Sequence, residues 1–281
     1  MIVIGNFNKL KVVNTTGSGY ILSDGYTDID LPFANTNATE LEKEQELEVF
    51  VYKNKGGEST ATLKKPYGIV GEFAFLKVIA ETPNGAFLDL GIEKDLFVPK
   101  KEQRWPMVKG RRYIVHVYVD HVTDRMIGSA KVFKFVEKDT IDIQEGDEVN
   151  ILISEETDLG FNAIINNKYI GLLYYNEIFE DLQPGNKRTA WVKKILPENK
   201  IDLSLQPQGY KHVLETKSVI LEAIRKNGGQ IPLGDKSTPE DIYKHFKISK
   251  KVFKKTIGAL YKERKVVVED HKIKIVHGGN E

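Results

Sequence analysis

Cysteine is absent from the 281-residue chain, which excludes disulfide staples and thiolate-held zinc. The six histidines are scattered, with no pair at metal-ligand spacing, so neither a metal nor a cofactor is expected. No apolar run approaches the roughly 18 residues of a membrane-spanning helix. The start, Met1-Ile2-Val3-Ile4-Gly5-Asn6, lacks the basic region and long apolar stretch of a secretory signal. A protein of the cytoplasm without membrane attachment is expected. No Ser-His-Asp grouping, carboxylate pair or metal-ligand set stands out, and a role without catalysis is expected. Heptad seams and long amphipathic extensions are lacking too, so a monomer is expected.

What is present is charge, unevenly spread. The 41 basic and 40 acidic residues nearly cancel, yet counting by position gives about −2 for residues 1–65, +2 for 66–137, −6 for 138–210 and +7 for 211–281. A polyanion would meet the second and fourth segments most easily.

One pattern recurs three times at a period of roughly 70 residues. Each copy has a glycine-opened strand, a short run ending near a proline or a tyrosine pair, a β-branched or lysine-rich strand and a closing strand. These open at Gly19, Gly85 and Gly160, and the closing strands are Ser59-Thr60-Ala61-Thr62-Leu63, Met126-Ile127-Gly128-Ser129-Ala130 and Ile201-Asp202-Leu203-Ser204-Leu205. Five short strands per copy predict small closed barrels of the OB type. After residue 209 the period becomes helical. Val219, Ile220, Ala223 and Ile224 share helical spacing, Ser237-Thr238-Pro239-Glu240 is a capping signature, and Ser249 caps a third helix. Two β-branched runs then flank Asp270-His271 as a hairpin. The fold class is mainly β with a small α+β C-terminal domain: three tandem OB barrels over 1–65, 66–138 and 139–208, then a winged helix over 211–278.

In the second copy, Gly85-Ala86-Phe87-Leu88-Asp89-Leu90-Gly91 alternates so that Phe87 and Asp89 face away from Ala86, Leu88 and Leu90. An outward phenylalanine forgoes burial worth about 2 kcal/mol, so a ligand-facing role is expected, with packing on a neighbouring barrel as the alternative. Lys109, Arg111 and Arg112 lie near the edges of the same barrel and are candidates for tracking phosphates. His121, near a hairpin tip, is a candidate partner for a base or a 2′-hydroxyl. Tyr174 and Tyr175 alternate, so one is expected to be exposed, for nucleic acid or for a domain interface. On the third helix, Lys250, Lys251, Lys254 and Lys255 fan over the side away from Val252, Phe253, Ile257 and Leu260. Lysine attracts phosphate but reads no base. Gly229-Gln230-Ile231-Pro232-Leu233-Gly234-Asp235-Lys236-Ser237 resembles a phosphate-binding loop only in outline. Asp235 would repel phosphate, and Pro232 removes a needed N–H.

The motifs "GAFLDLG", "DLFVP" and "VKG" of the second copy resemble the S1 RNA-binding domain. Three such copies before a winged helix, with "YIGLLYYNEIF" in the third, resemble the bacterial conserved virulence factor B family over nearly the whole chain. That resemblance implies RNA binding in the cytoplasm and an effect on gene expression without a chemical step. It puts the stacking aromatic at Phe87 and a backbone-contacting cation at Arg125, with Lys200 as its counterpart in the third copy. The first and third copies depart from it, with Ile21 and Asn162 at the aromatic position and Tyr20 and Phe161 one residue earlier, on the other face. The expected function is regulatory binding of single-stranded RNA, with DNA as a lesser partner and a protein of the RNA or ribosome machinery as a further one. The alternatives are a winged-helix DNA-binding regulator and an adaptor docking on a ribosome, RNA polymerase or nuclease.

Overall fold

The computed structural model describes residues 1–37, 40–178, 180–207 and 210–276, and the side chains of these apart from 210–215. Phe179 and the predicted domain ends at 208 and 278 lie outside the described residues. The chain divides into two compact units, Met1–Val136 and Glu137–Glu281.

In the first unit, β1 (Asn6–Thr15), β2 (Gly19–Ser23), β3 (Asp28–Pro32), β4 (Glu46–Lys53) and β5 (Ser59–Thr62) close a barrel in the order β1-β2-β3-β5-β4. A second barrel with the same connectivity is built from β6 (Phe73–Thr82), β7 (Gly85–Leu88), β8 (Leu96–Pro99), β9 (Arg112–Asp120) and β10 (Arg125–Ser129). One parallel pair seals each cylinder, β3 with β5 and β8 with β10. The four strands quoted per copy in the sequence pattern are joined by a long first strand that the pattern did not reveal. Its alternation is broken by a register shift, between Val12 and Asn14 in β1 and between Val78 and Ala80 in β6. A bulge at that point bends the strand, so that it pairs with a neighbour on either side.

Gly85 opens β7 opposite Pro99, where a Cβ would run into the Val98 carbonyl oxygen. Gly19 and Gly160 stand against the Leu31 and Leu173 carbonyls in the same way. Glycine is needed for this close approach of backbones. Strand β4 shows another local rule. Val49, Phe50, Val51 and Tyr52 are buried in succession, because its outward residues Phe50 and Tyr52 join the core of the second barrel. A strand covered on both faces reads as a continuous apolar run rather than an alternation.

A 3₁₀ turn follows the third strand of every barrel: Phe33–Asn35, Lys100–Glu102 and Tyr175–Glu177. Its last residue is bonded to the end of the fifth strand. Ser129 Oγ donates to Glu102 Oε2 at 2.7 Å, Ser204 Oγ to Glu177 Oε2 at 3.2 Å, and Thr62 Oγ1 to the Asn35 carbonyl at 3.4 Å. In all three the partners are 27 residues apart. The same hydroxyls accept the N–H two residues further on, from Lys64, Lys131 and Gln206.

The second unit begins with β11 (Glu148–Thr157), β12 (Gly160–Ile165), β13 (Tyr169–Tyr174), β14 (Lys187–Leu196) and β15 (Lys200–Ser204), a third barrel in the order β11-β12-β13-β15-β14. Its first strand shifts register between Ile153 and Glu155, as in the other two. Then come α1 (Tyr210–Lys226), β16 (Gln230–Ile231), α2 (Pro239–Phe246), α3 (Lys250–Lys262), β17 (Val266–Val268) and β18 (Ile273–Ile275), with the strands in the order β16-β18-β17. Three helices and this small sheet make the winged helix. Thr238 caps α2 by accepting from Asp241 N–H, and Ser249 caps α3 by accepting from Val252 N–H. The stripe on α1 differs from the predicted one. Ile220 and Ile224 are buried, but Val219 is 52% exposed, since it lies a full position off the line of contact with α3. The loop-like Gly229–Ser237 stretch anchors the wing, with Asp235 and Lys236 N–H donating to the Glu269 and Asp270 carbonyls. Among the described residues no helix is long and apolar enough to cross a membrane.

His116 on β9 is half-buried between Phe73 and Phe135, with ring centroids at 4.8 and 4.2 Å. Burial lowers its pKa, against a hydrogen bond to the Gly71 backbone that acts the other way. A histidine kept neutral by the fold supports folding above its ordinary pKa of 6.5. That support is lost as pH falls from there toward the depressed folded value, because only the unfolded chain takes up the proton. Thermal unfolding between about pH 7 and 5 should therefore shift further in wild type than in His116→Phe. Replacing Ser129 by alanine removes the shorter of two contacts to the buried Glu102 carboxylate, leaving Lys134 at 3.6 Å, and should cost about 1–3 kcal/mol in urea unfolding.

Candidate nucleic-acid interface

The outward face of the second barrel is set by the register of β7, β8 and β10. Phe87 pairs with Phe97 and Phe97 with Ile127, and the burial of Ala86 and Leu88 leaves Phe87 half-buried on the other side. The Phe87 and Phe97 rings lie 5.0 Å apart at 43°. Phe87 thus packs on a ring of its own barrel, not of a neighbouring one, and keeps part of its surface open. Two adjacent rings at an edge of this kind offer a wider apolar platform than one. Phe97 is not among the candidates drawn from the sequence, although period-2 alternation with Leu96 and Val98 already turns it outward.

Following β7 past Phe87 brings Asp89, whose carboxylate accepts from Gly91 N–H at 2.9 Å. The ring of Tyr67, 62% exposed, lies directly over Gly91, where a Cβ would stand 3.0 Å from it. Tyr67 sits in the connection between β5 and β6. Arg125 begins β10 on the β8 side of this face, exposed, at the register of Asp120. His121 is exposed in the turn between β9 and β10. On the other side, Lys109, Arg111 and Arg112 are exposed where β9 starts beside β6. Arg112 pairs with Lys77, and Lys109 N–H donates to Glu81 Oε1 at 2.6 Å. Cations therefore flank the Phe87 platform on both sides, interleaved with carboxylates.

The third barrel is different. Asn162, at the aromatic position, donates to Glu155 at 3.0 Å, and Phe161 is buried in the core. Tyr175 is 45% exposed, but its hydroxyl donates to Glu156 at 2.7 Å. Tyr174 is half-buried, and its pKa is raised by burial first and then by Asp202. Lys200 pairs with Glu198 at 2.7 Å, which raises its pKa. A carboxylate thus attends each predicted contact of this barrel, and a polyanion gains little there. In the first barrel Ile21 occupies the aromatic position and Tyr20 is buried, its hydroxyl accepting from Leu41 N–H at 3.2 Å.

On the winged helix, Phe253, Ile257 and Leu260 point into the core together with Thr256. Lys251, Lys254 and Lys255 are exposed and Lys250 is half-buried. Lys254 is held by Asp235 at 3.0 Å, so the fan of four predicted from the sequence has its charge concentrated on Lys251 and Lys255.

Residues 4–64 match the S1 domain family, and residues 218–275 match the CvfB-like winged helix domain. Both are nucleic-acid-binding domain types. The chain is 26% identical to conserved virulence factor B of Staphylococcus epidermidis over 99% of this chain and 96% of that protein. It is 27% identical to an uncharacterized protein of Bacillus subtilis, covering 93% and 90%. A solved multidomain protein with nucleic acid binding domains from Streptococcus pneumoniae aligns with 97% of this chain and 98% of its own, at 20% identity and a TM-score of 0.42.

A lysine already neutralised by a neighbour contributes little, so Lys200→Gln should leave polyanion affinity within about twofold. Neutralising Arg111 and Arg112 together should lower the slope of log affinity against log salt for a single strand by roughly 1.4, as measured by anisotropy over a salt series.

Proposed function

We propose that this bacterial relative of conserved virulence factor B binds single-stranded RNA on the outward face of its second barrel and thereby regulates gene expression after transcription, in the cytoplasm. The observation that carries this reading is the Phe87–Phe97 pair, 5.0 Å between centroids, half-open on a barrel face flanked by Arg125 on one side and by Lys109, Arg111 and Arg112 on the other. An unpaired base stacks on the open ring surface, whereas a duplex keeps its bases stacked on one another and cannot offer one. Phosphates on either side of that base meet the flanking cations, which give affinity without sequence preference. His121, exposed at the tip of the adjoining hairpin, serves in this reading as the contact to a 2′-hydroxyl, the group that separates RNA from DNA. Tyr174 and Tyr175 serve in this reading as anchored surface residues of the third barrel, outside the main track.

The winged helix adds a second, weaker contact through Lys251 and Lys255, with Lys250 beside them. Two weak modules in one chain raise overall affinity by effective concentration when the strand spans both. Binding of duplex DNA by α3 is the competing reading. It draws on the same exposed lysines, but it lacks an Arg, Asn or Gln on α3 to read a base pair. None of these roles calls for a chemical step.

Anisotropy titrations of labelled single-stranded RNA, single-stranded DNA and duplex DNA should rank RNA tightest. Phe87→Ala should lose about 1–3 kcal/mol of RNA affinity, and Phe97→Ala a comparable amount. Equal RNA binding by wild type and Phe87→Ala would sink the stacking mechanism. A preference for duplex that needs only the lysines of α3 would favour the DNA reading, and negligible binding of all three would point to a protein partner.

A further inference from the structure

The first barrel has Ile21 at the position that Phe87 takes in the second, and its β4–β5 hairpin reaches the edge of the second barrel beside Arg125. Lys53 pairs with Asp124 at 2.5 Å, the Lys94 ammonium donates to the Asn54 carbonyl at 3.4 Å, and the Arg125 guanidinium lies 3.7 Å from where a Cβ on Gly57 would stand. The hairpin tip is stiff. Asn54 N–H donates to the Glu58 carbonyl at 2.8 Å, Glu58 N–H donates to Asn54 Oδ1 at 3.1 Å, and Gly57 supplies the positive φ of +90° that the turn requires. Lys55 is carried exposed on this tip, close enough to Lys94 for each to feel the other's charge.

Most carboxylates of the neighbourhood are engaged elsewhere. Asp124 is paired with Lys53 and Glu93 with Lys64, while Glu58 accepts from the Asn54 amide at 3.1 Å and Asp89 from Gly91 N–H, neutral donors that orient these two carboxylates and leave their charge in place. Asp95 is half-buried, and burial raises its pKa. Among the described residues, neither Lys55, Lys94 nor Arg125 has a carboxylate at ion-pair distance. Burial, then the charges of Arg125 and Lys55, lower the pKa of Lys94. Three cations brought together from two barrels, with one half-buried carboxylate among them, repel one another in the free protein, and an anion between them relieves that repulsion.

We propose that the β4–β5 hairpin of the first barrel and the edge of the second together form a seat for the phosphate backbone of a single strand, with Lys55, Lys94 and Arg125 as its cations. The proposal rests on the nucleic-acid reading above and extends it: the first barrel contributes to binding through a hairpin tip rather than through the face that the second barrel uses. The seat adjoins the row of Asp95 and Arg125, one alternate position along from Phe97 and Ile127 on β8 and β10, so a strand stacked at Phe87 runs directly into it.

The test is a titration of labelled oligouridine with full-length wild type, Lys55→Gln, Lys94→Gln and Phe87→Ala at a series of salt concentrations. Each lysine variant should lower the slope of log affinity against log salt by about 0.7, the share of one phosphate contact on a single strand, and weaken binding several-fold at low salt. Phe87→Ala should weaken binding at every salt concentration with the slope unchanged. Slopes of Lys55→Gln and Lys94→Gln equal to wild type, with Phe87→Ala still weakened, would overturn the seat and leave the platform standing. Altered slopes with an unaffected Phe87→Ala would support the seat and overturn the platform. No measurable binding by wild type would overturn both.

Discussion

The three barrels depend on one closure. A five-stranded sheet becomes a cylinder only if its third strand meets its fifth in parallel, and a parallel pair of so few residues is a weak seam. Each barrel reinforces that seam at one end with the hydroxyl of the fifth strand bonded to the last residue of the 3₁₀ turn. The donor and acceptor are mostly out of water, where an unmade bond is expensive, so the turn and the strand are committed to each other. The seam itself sets Ile127 beside Phe97, while the β7–β8 pairing aligns Phe97 with Phe87.

Much of this was legible in the chain, and what was missed has physical reasons. Glycine-opened strands and β-branched runs exposed the repeat, because backbone crowding at Gly85 admits no other residue and the barrel interior demands apolar volume. Capping residues gave the second and third helices of the C-terminal domain to within a residue or two, whereas the first, read without a cap from Glu215, begins at Tyr210. The first strand of each copy stayed hidden because a bulge breaks its alternation, and the closure stayed hidden because its chemistry changes from Asn with Thr to Glu with Ser while only the spacing persists. Val219 was misplaced because a helical stripe read from apolarity alone does not say which side meets the neighbouring helix.

The candidate site was legible in part, and the limit there is electrostatic. A sequence reports that a lysine exists but not which carboxylate folding brings against it. Lys200 and Lys254 look like free cations in the chain and are paired in the structure with Glu198 and Asp235. Lys55 and Lys94 drew no notice in the chain, being 39 positions apart on different repeats, and lie together in the fold. Aromatic positions fared better, since alternation alone decides which face a ring takes. Phe87, Tyr20 and Phe161 fall on the faces that the alternation predicts.

The closure and the row proposed to meet a strand sit at opposite ends of β8 and β10, Glu102 and Ser129 at one, Asp95 and Arg125 at the other. A change in either row leaves the other's contacts intact. A copy without the aromatic can therefore still fold, as the first and third barrels do with Ile21 and Asn162 in that place. Duplication of such a unit supplies spare scaffold, on which selection can retain, discard or relocate a binding face without putting the folding of its neighbours at risk.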